Sequence, residues 1–558
     1  MRSALRRFEL AIGTLILDLE DPNRGRLGVA RVLTSFANWC FTIALGVYGF
    51  EAHGIVGVGL VAMIRLLPGA LAAPLAGLMI DRHPRRDVLI VSATGMMLVL
   101  AGATIAAALG APPAVVFIFP GLYAVAASAY APAESSLSPL LATTPQHLSA
   151  ANVNHAAMEN AGSLIGAIVT GLLLTATSPT FIFGVAAVAA LLVAALIAGV
   201  TRDRRPDYLA RESELAGAAQ EIVTGIRTLA AHPALRLAWT TMTLLLFFEG
   251  FADVIVVVMA LHLLHLSTGS VGFLNAAWGV GALVGGAGLA VLLDRGRLVV
   301  AIAGGSVVIG LATMLPGVVP ERASAYVGWF AIGIGFVFVE VAAKTLMQRL
   351  GDDETMGRLL SVLEAGRLAA MAVGSLAAIV LDELLHTRGA LVALGAVMPA
   401  FVVLCWARLR AYEVGAPVAE APYRLLRGNS IFEPLPVATV ERLSHDLTPI
   451  EFAPGEDVIV QGQRGDRFFL IESGEVDVFE NGEFRRKEGP GESFGEIALL
   501  HDVARTATVR TTEPTRLLAL DREQFLTAVT GHRRSNQLAG DVVEDRWASR
   551  ELAQPAPD

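Results

Sequence analysis

Along the first three quarters of the chain, apolar residues run in blocks separated by short polar breaks rich in arginine. A block of ~20 residues spans the ~30 Å hydrocarbon core of a bilayer as an α-helix. Twelve such blocks are expected, at approximately 27–50, 54–80, 87–110, 114–140, 151–175, 179–200, 235–261, 270–293, 298–318, 323–347, 357–382 and 387–408. The fourth, tenth and eleventh each carry a charge and are the least clean. The longest internal break, Thr201 to Leu235, is polar and divides the blocks six and six.

Beyond Arg410 the pattern changes. Val414 to Pro422 reads as a short Ala/Pro/Gly linker, and Leu435 to Leu443 as a helix. Short alternating runs follow, with Val458–Val460, Phe468–Glu472, Glu475–Phe479 and Arg516–Leu520 reading as strands. Asn481-Gly482 is a two-residue hairpin signal. Asp521 with Gln524 at the third helical position is close to a capping box. A last amphipathic helix is expected at about Arg534–Leu552. A helix, roughly eight short strands and two closing helices describe an α+β domain built on a small, jelly-roll-like β-roll. The expected organisation is an interfacial segment 1–26, a six-helix half 27–200, a central loop 201–234, a second six-helix half 235–410, a linker 411–429 and the roll domain 430–553.

Composition agrees with a polytopic membrane protein carrying one soluble domain. The 558 residues are 54% hydrophobic and 17% charged, with a mean hydropathy of +0.59, against the ~25% charged residues of soluble domains. A net charge of −9 with no basic run argues against nucleic acid as a partner. The two cysteines, Cys40 and Cys405, lie in apolar segments, which excludes a disulfide framework and a zinc site. No nucleophile–base set, metal-ligand cluster or phosphate loop with Lys appears, so an enzyme is not expected. At the N-terminus Arg2, Arg6 and Arg7 precede an apolar run that Glu9 and Asp18 interrupt. An interfacial helix is therefore expected there rather than a cleaved signal peptide.

Arginine placement orients the spans. Arg24 and Arg26 precede span one, Arg82, Arg85 and Arg86 follow span two, and Arg202, Arg204 and Arg205 follow span six. Arg295 and Arg297 follow span eight, and Arg408 and Arg410 follow span twelve. The opposite loops are nearly free of arginine, so both termini and the roll domain are expected in the cytoplasm. Within the spans the ionisable residues are Arg31, Arg65, Glu134, Glu159, Glu249, Asp253, Glu340, Lys344, Glu364 and Arg367. Each either fixes helix packing through a neighbour or meets a substrate or proton. Glu249 and Asp253 share a face of span seven with no basic residue nearby in sequence. Glu340 and Lys344 are spaced to pair on one face. For Arg31 and Arg65, one to two turns inside their spans, snorkelling to the interface is a further reading beside pairing with a neighbour.

Gly77-x3-Asp81-Arg82-x2-Arg85-Arg86 resembles the loop between spans two and three of the major facilitator superfamily. Tyr130-x-Pro132-Ala133 with Leu137-x-Pro139-x-Leu141 is similar to span four of its drug- and siderophore-exporter branch. The resemblance implies a secondary transporter of two six-helix halves, moving an amphipathic small molecule, a lipid-like compound or a siderophore. It implies a conformational latch at Gly77, Asp81, Arg82 and Arg86. Transport or proton-coupling candidates are Glu134, Glu159, Glu249, Asp253, Glu340, Lys344 and Glu364. Span four lacks an Arg, and the antiporter Gly-Pro of span five reads Gly166-Ala167, which leaves coupling to protons and direction open.

In the soluble tail, Phe494-Gly495-Glu496-Ile497-Ala498 followed by Arg505-Thr506-Ala507 supplies backbone amides, a carboxylate and a guanidinium suited to a sugar phosphate. Residues ~430–553 closely resemble the cyclic nucleotide-binding domain of cAMP receptor proteins and kinase regulatory subunits, with Gly455, Gly462, Gly465-Asp466 and Ser473-Gly474 at its turns. By that resemblance Arg505 pairs with the cyclic phosphate and Glu496 accepts from the ribose 2′-hydroxyl. Amides of Gly495, Ile497 and Ala498, with Thr506, complete the cradle. The implied ligand is cAMP, with cGMP admitted through the hydroxyl of Thr506; no prosthetic group is implied. The two readings carried forward are a nucleotide-regulated transporter, monomeric or dimeric, and a non-transporting, membrane-anchored nucleotide receptor or scaffold.

Overall fold

A computed structural model of the chain describes residues 22–141, 145–200, 227, 229, 233–293, 298–350, 353–411, 420–433, 435, 437–500 and 503–530. It divides into two compact units, Met1–Glu413 and Val414–Asp558. The expected N-terminal interfacial helix, most of the central loop, and the final helix at Arg534–Leu552 lie outside the described residues, as do Asp294 and Arg295.

Among the described residues the first unit is built from helices joined by short turns. Helix α1 (Pro22–Arg82) holds 61 residues, about 90 Å at ~1.5 Å per residue, three times a bilayer core. It folds back at His53 and Gly54, where Gly54 takes φ +60°. The arms on either side approach so closely that a Cβ on Gly49 would lie 2.9 Å from the Gly57 carbonyl oxygen. Helix α2 (Arg85–Ala108) follows. The expected fourth span is present as one apolar stretch, Pro113–Leu137, whose helix is interrupted into three pieces, α3 (Pro113–Val116), α4 (Phe119–Ala127) and α5 (Tyr130–Leu141). Pro120 lies in the first turn of α4 and Pro132 in the first turn of α5, both places where a missing N–H costs little. Helices α6 (Pro145–Leu174) and α7 (Pro179–Ala198) close the first half.

The second half runs α8 (Pro233–Val258) with a π-helical turn Met259–Leu263, α9 (Gly269–Leu293), α10 (Leu298–Val318), α11 (Arg322–Leu350), α12 (Asp353–Gly395) and α13 (Val397–Ala411). Helix α12 breaks at His386, φ +56°. Ten described stretches are long and apolar enough to cross a membrane, and the two longest, Pro22–Gly69 and Gly366–Arg408, contain these breaks. The count accommodates twelve crossings.

Helix α8 is the most enclosed, with Phe248 and Phe251 fully buried. It packs on α12 and α1, and the Ser375 hydroxyl of α12 donates to the Gly250 carbonyl at 3.0 Å. Helices α6 and α9 touch across the two halves at Gly171, Gly269 and Gly272. There a Cβ on Gly171 would meet the Gly269 carbonyl oxygen at 3.1 Å, and none could stand on Gly272 without striking the Gly171 backbone. Small residues bring helix backbones together where lipid offers no hydrophobic drive between helices.

The second unit begins with α14 (Glu420–Gly428) and α15 (Val437–Asp446). Helix α14 occupies sequence read above as linker. Its Leu426 is fully buried in the core of this unit, beside Tyr423 and Leu425, so its apolar face holds it in place. Eight strands follow, β1 (Thr448–Phe452), β2 (Asp457–Ile459), β3 (Arg467–Ser473), β4 (Val476–Glu480), β5 (Glu483–Glu488), β6 (Ser493–Phe494), β7 (Thr508–Thr511) and β8 (Thr515–Asp521). Between β6 and β7 lies the short helix α16 (Glu496–Leu500), and α17 (Arg522–Thr530) follows β8. Two antiparallel sheets form, ordered β1-β8-β3-β6 and β2-β7-β4-β5.

Alternation explains how one sheet serves two cores. On β3 and β8, Phe468, Leu470, Leu518 and Leu520 face the helices and pack with Phe432 and Phe525. Phe469, Ile471, Leu517 and Ala519 face the roll interior with Val476, Val478 and Phe494. The β4–β5 turn puts Asn481 at φ +53° and Gly482 at φ +84°, both positive as the hairpin signal predicts. The Asp521 amide donates to the Gln524 side chain at 3.3 Å, one half of the expected capping box.

Candidate functional site

The roll presents its cassette between β6 and β7. Phe494 closes β6 against Phe469, ring centroids 5.4 Å apart. Gly495 then turns the chain with φ +96°, and a Cβ there would sit 2.6 Å from Nη1 of Arg505. Glycine serves both needs, the left-handed backbone and the close approach. Glu496 opens α16 fully buried, and Ala498 is also buried. Gly465 leaves room for the cassette, since a Cβ on it would meet Ala498 Cβ at 2.8 Å.

Arg505 is only 4% exposed. Its amide donates to the Gln463 carbonyl at 2.7 Å and its carbonyl accepts from Gly462 at 2.9 Å, so the turn beginning at Gly462 fixes its backbone. Its Nη1 donates to the Gly495 carbonyl at 2.9 Å and Nη2 to the Arg467 carbonyl at 2.6 Å. Burial pushes this guanidinium below its ordinary pKa, while the nearby Asp466 and Glu496 act the other way. Phe494 to Ala498 and Arg505 to Ala507, Thr506 included, line a shallow cleft of about 40 Å³. Its far wall is apolar, with Ile459, Val478 and Val509.

One lining residue escaped the sequence reading. Arg486 of β5 reaches the same cleft, its Nη2 2.8 Å from the buried carboxylate of Glu488. The signal was in the strand alternation, which sets 486 and 488 on one face of β5.

In the membrane unit two arginines follow the pairing reading. Arg31 does not snorkel: its Nε lies 2.8 Å from Glu134 Oε1, both side chains below a tenth exposed. Arg65 likewise pairs with Asp253 at 3.2 Å and donates to Thr42. A carboxylate from another helix lies within reach of each, and pairing offsets the cost of a lone charge at that depth. Asp253 thus has a basic partner, though from a distant part of the chain. A cavity of about 220 Å³ opens beside the first pair, lined by Thr34, Asn38, Trp39, Tyr123, Tyr130 and Glu159 among others.

Glu249 lies within electrostatic reach of Asp253, Arg367 and Glu340, and Glu340 within reach of Lys344 and Glu159. No ion pair between Glu340 and Lys344 is among the described contacts. The side chains of Glu364 and Asp81 and the surroundings of Gly77 lie outside what the structure describes. Arg82 is exposed, and the Arg86 guanidinium donates to the Ile197 and Ala198 carbonyls at the end of α7. Among the described residues no His/Cys/Asp/Glu group is placed to hold a metal ion.

A multi-pass bundle of two halves with paired charges and a cavity inside is the build of a membrane transporter. The family profile of the Major Facilitator Superfamily matches residues 27–375, more than half of the chain, and the chain belongs to that superfamily. The profile described as cyclic nucleotide-binding domain matches residues 449–532. The helical unit resembles a solved POT family transporter crystallised with a thioalcohol-conjugated peptide. The TM-score is 0.56 at 13% identity, over 70% of this chain and 96% of that one, a likeness of fold. The soluble unit is 35% identical over 113 residues to a cAMP-dependent protein kinase regulatory subunit of Yarrowia lipolytica, covering 20% of this chain and 30% of that protein. The regulatory domain of Toxoplasma gondii PKA, solved with cAMP, is 29% identical over 20% of this chain and 44% of that one, TM-score 0.19. The chain therefore spans about a third of the curated relative it matches.

Proposed function

We propose that this chain is a secondary transporter whose flux is set by a cyclic nucleotide bound at the Gly495–Arg505 cassette. The observation that carries the reading is Arg505, a cation withdrawn from water at 4% exposure and met by two main-chain carbonyls. An anion arriving there gains a fork of charge-assisted donors and repays the desolvation. The cyclic phosphate meets Arg505 and the amides of Gly495, Ile497 and Ala498. Glu496 accepts from the ribose 2′-hydroxyl, and Thr506 and Ala507 flank the phosphate. The base lies along Ile459, Val478 and Val509. The ligand is cAMP, by likeness to the kinase regulatory subunits, with cGMP the second candidate through Thr506.

Both chain termini and the roll face the cytoplasm, where the nucleotide is made, and the sequence divides as 1–26, 27–200, 201–234, 235–410, 411–429 and 430–553. The cargo is an amphipathic small molecule, leaving the cell. It passes Glu134, Glu159, Glu249, Asp253, Glu340, Lys344 and Glu364, while Gly77, Asp81, Arg82 and Arg86 latch one state. The charged cavity favours this over an anchored, non-transporting receptor, which has no use for one. A nucleotide that prefers one transport state by about 1–3 kcal/mol changes the state ratio ~5–150-fold.

The test is flux of a panel of lipophilic cations and siderophores through proteoliposomes, with and without saturating cAMP. A cargo whose flux changes severalfold on adding nucleotide supports the proposal. Equal fluxes with the domain saturated remove the regulation, and a calorimetric titration without heat of binding removes the ligand.

A further inference from the structure

A second cavity, of about 430 Å³, lies between the start of α8 and the end of α13. It is separate from the cleft of the roll and from the cavity beside Arg31. Two arginines line it, Arg236 and Arg408. The rest of its wall is largely apolar, from Leu237, Phe401 and Cys405, with Thr240 beside them. Leu237 and the fully buried Val299 form a small apolar cluster against which Phe401 and Cys405 pack.

The height of this cavity in the bilayer can be read from α13. Val403 is 75% exposed and Leu404 82% exposed, side chains that face acyl chains rather than water in a membrane-spanning helix. Trp406 follows, with the Arg410 guanidinium 6.0 Å from its ring centroid. An aromatic ring backed by arginines one turn on marks the level where hydrocarbon gives way to headgroups. The cavity at Cys405 and Arg408 therefore straddles that boundary, with cations toward the headgroups and apolar wall toward the tails.

We propose that this cavity binds one anionic phospholipid. Its phosphate lies between Arg236 and Arg408, and an acyl chain lies along Leu237, Phe401 and Cys405. Two guanidiniums suit a phosphodiester that offers several oxygens. Basic pockets between helices are the general means by which membrane proteins hold anionic headgroups. A water-soluble phosphate shares the headgroup chemistry but leaves the apolar wall uncovered. Occupancy joins the first helix of the second half to the last, so the lipid stabilises the packing of α8 on α13.

The experiment is native mass spectrometry of the full chain, titrated in mild detergent with dioleoyl phosphatidylglycerol, with dioleoyl phosphatidylcholine and with glycerol 1-phosphate. One phosphatidylglycerol is expected to stay bound at collision energies that strip phosphatidylcholine. In R236Q/R408Q its apparent affinity falls about 30-fold, at ~1 kcal/mol for each arginine near the membrane surface. A second variant, C405W, keeps both charges and fills the cavity, and it too loses the lipid. Equal elution profiles and equal nucleotide binding by each variant establish that the fold is intact. Retention of phosphatidylglycerol by both variants, or equal retention of phosphatidylcholine by the parent, overturns the proposal. So does displacement of the lipid by glycerol 1-phosphate at similar concentration, which assigns the arginines to a soluble anion.

Discussion

Arg65 on α1 and Asp253 on α8 meet at 3.2 Å across 188 residues of sequence, tying the first half of the helical unit to the second. Each side chain is about one-fifth exposed, so the pair is neither dry nor freely hydrated. Removing one partner leaves the other charge at membrane depth without its counter-ion. R65Q and D253N are each expected to lower the stability of the purified chain by about 1–3 kcal/mol, below the 3–5 kcal/mol of a fully buried pair. The double variant should recover part of that loss. Thermal unfolding in detergent measures all four proteins, and additive losses would show that the two groups do not act together.

In the proposed binding mode, Arg505 and Glu496 are expected to make separate contributions to nucleotide binding. R505Q removes the phosphate's fork of donors and should weaken cAMP binding by about 2–5 kcal/mol, that is ~30-fold or more. E496Q keeps the shape and loses a charged acceptor, at about 1.5–3 kcal/mol. Titration calorimetry of the full chain gives both values. An R505Q protein that binds cAMP as tightly as the parent would dissociate the cassette from the ligand.

In the proposed binding mode, Thr506 flanks the phosphate and its hydroxyl also bears on the choice of base. T506A is expected to weaken cGMP about fivefold, one hydrogen bond of ~1 kcal/mol, with less effect on cAMP. Competition of the two nucleotides on one preparation reads the ratio directly. A ratio unchanged in T506A assigns base choice to other lining residues of the cleft, Arg486 among them.

Gly495→Ala tests the turn itself. The new methyl group meets both an unfavourable φ of +96° and the Arg505 guanidinium at 2.6 Å. A loss of about 1–3 kcal/mol in roll stability follows from the backbone alone, with nucleotide binding abolished. Preserved binding in G495A would mean that the cassette opens when ligand arrives.

Asp457 supplies a pH signature for the roll. Arg510 donates to both its carboxylate oxygens, at 2.6 and 3.1 Å, and this holds Asp457 below the usual carboxylate range. The folded state therefore binds the proton less readily than the unfolded chain. The pair stabilises the roll above the unfolded pKa of ~3.9 and ceases to do so as pH falls through the lower folded value. D457N should melt earlier than the parent at pH 7, and the gap should close in acid. A gap that does not change with pH would assign the effect to packing.

What could be read from sequence was local. The hairpin at Asn481-Gly482 and the Gly495–Arg505 cassette are each specified within about a dozen residues, by turn chemistry and spacing. Apolar blocks likewise identify helices that lie in lipid. The partners of Arg31 and Arg65 were not legible, because they are chosen by helix packing between distant segments. Arg486 was hidden for a related reason, since its place in the cleft follows from the fold of β5 onto β4. Helix α14 was hidden because its Ala-Pro opening resembles a linker and only burial of Leu426 shows otherwise.

The meeting of α6 and α9 at Gly171, Gly269 and Gly272 has a mechanical meaning. The two backbones lie against each other there, with only the Phe273 ring and the Thr175 methyl group at the flanks, so the joint has little soft material to compress. Such a joint acts as a stiff stop, because neither half can sink further into the other there. Were the halves to rock about it, opening on one side of the bilayer would be matched by closing on the other, around a pivot built from the absence of three methyl groups.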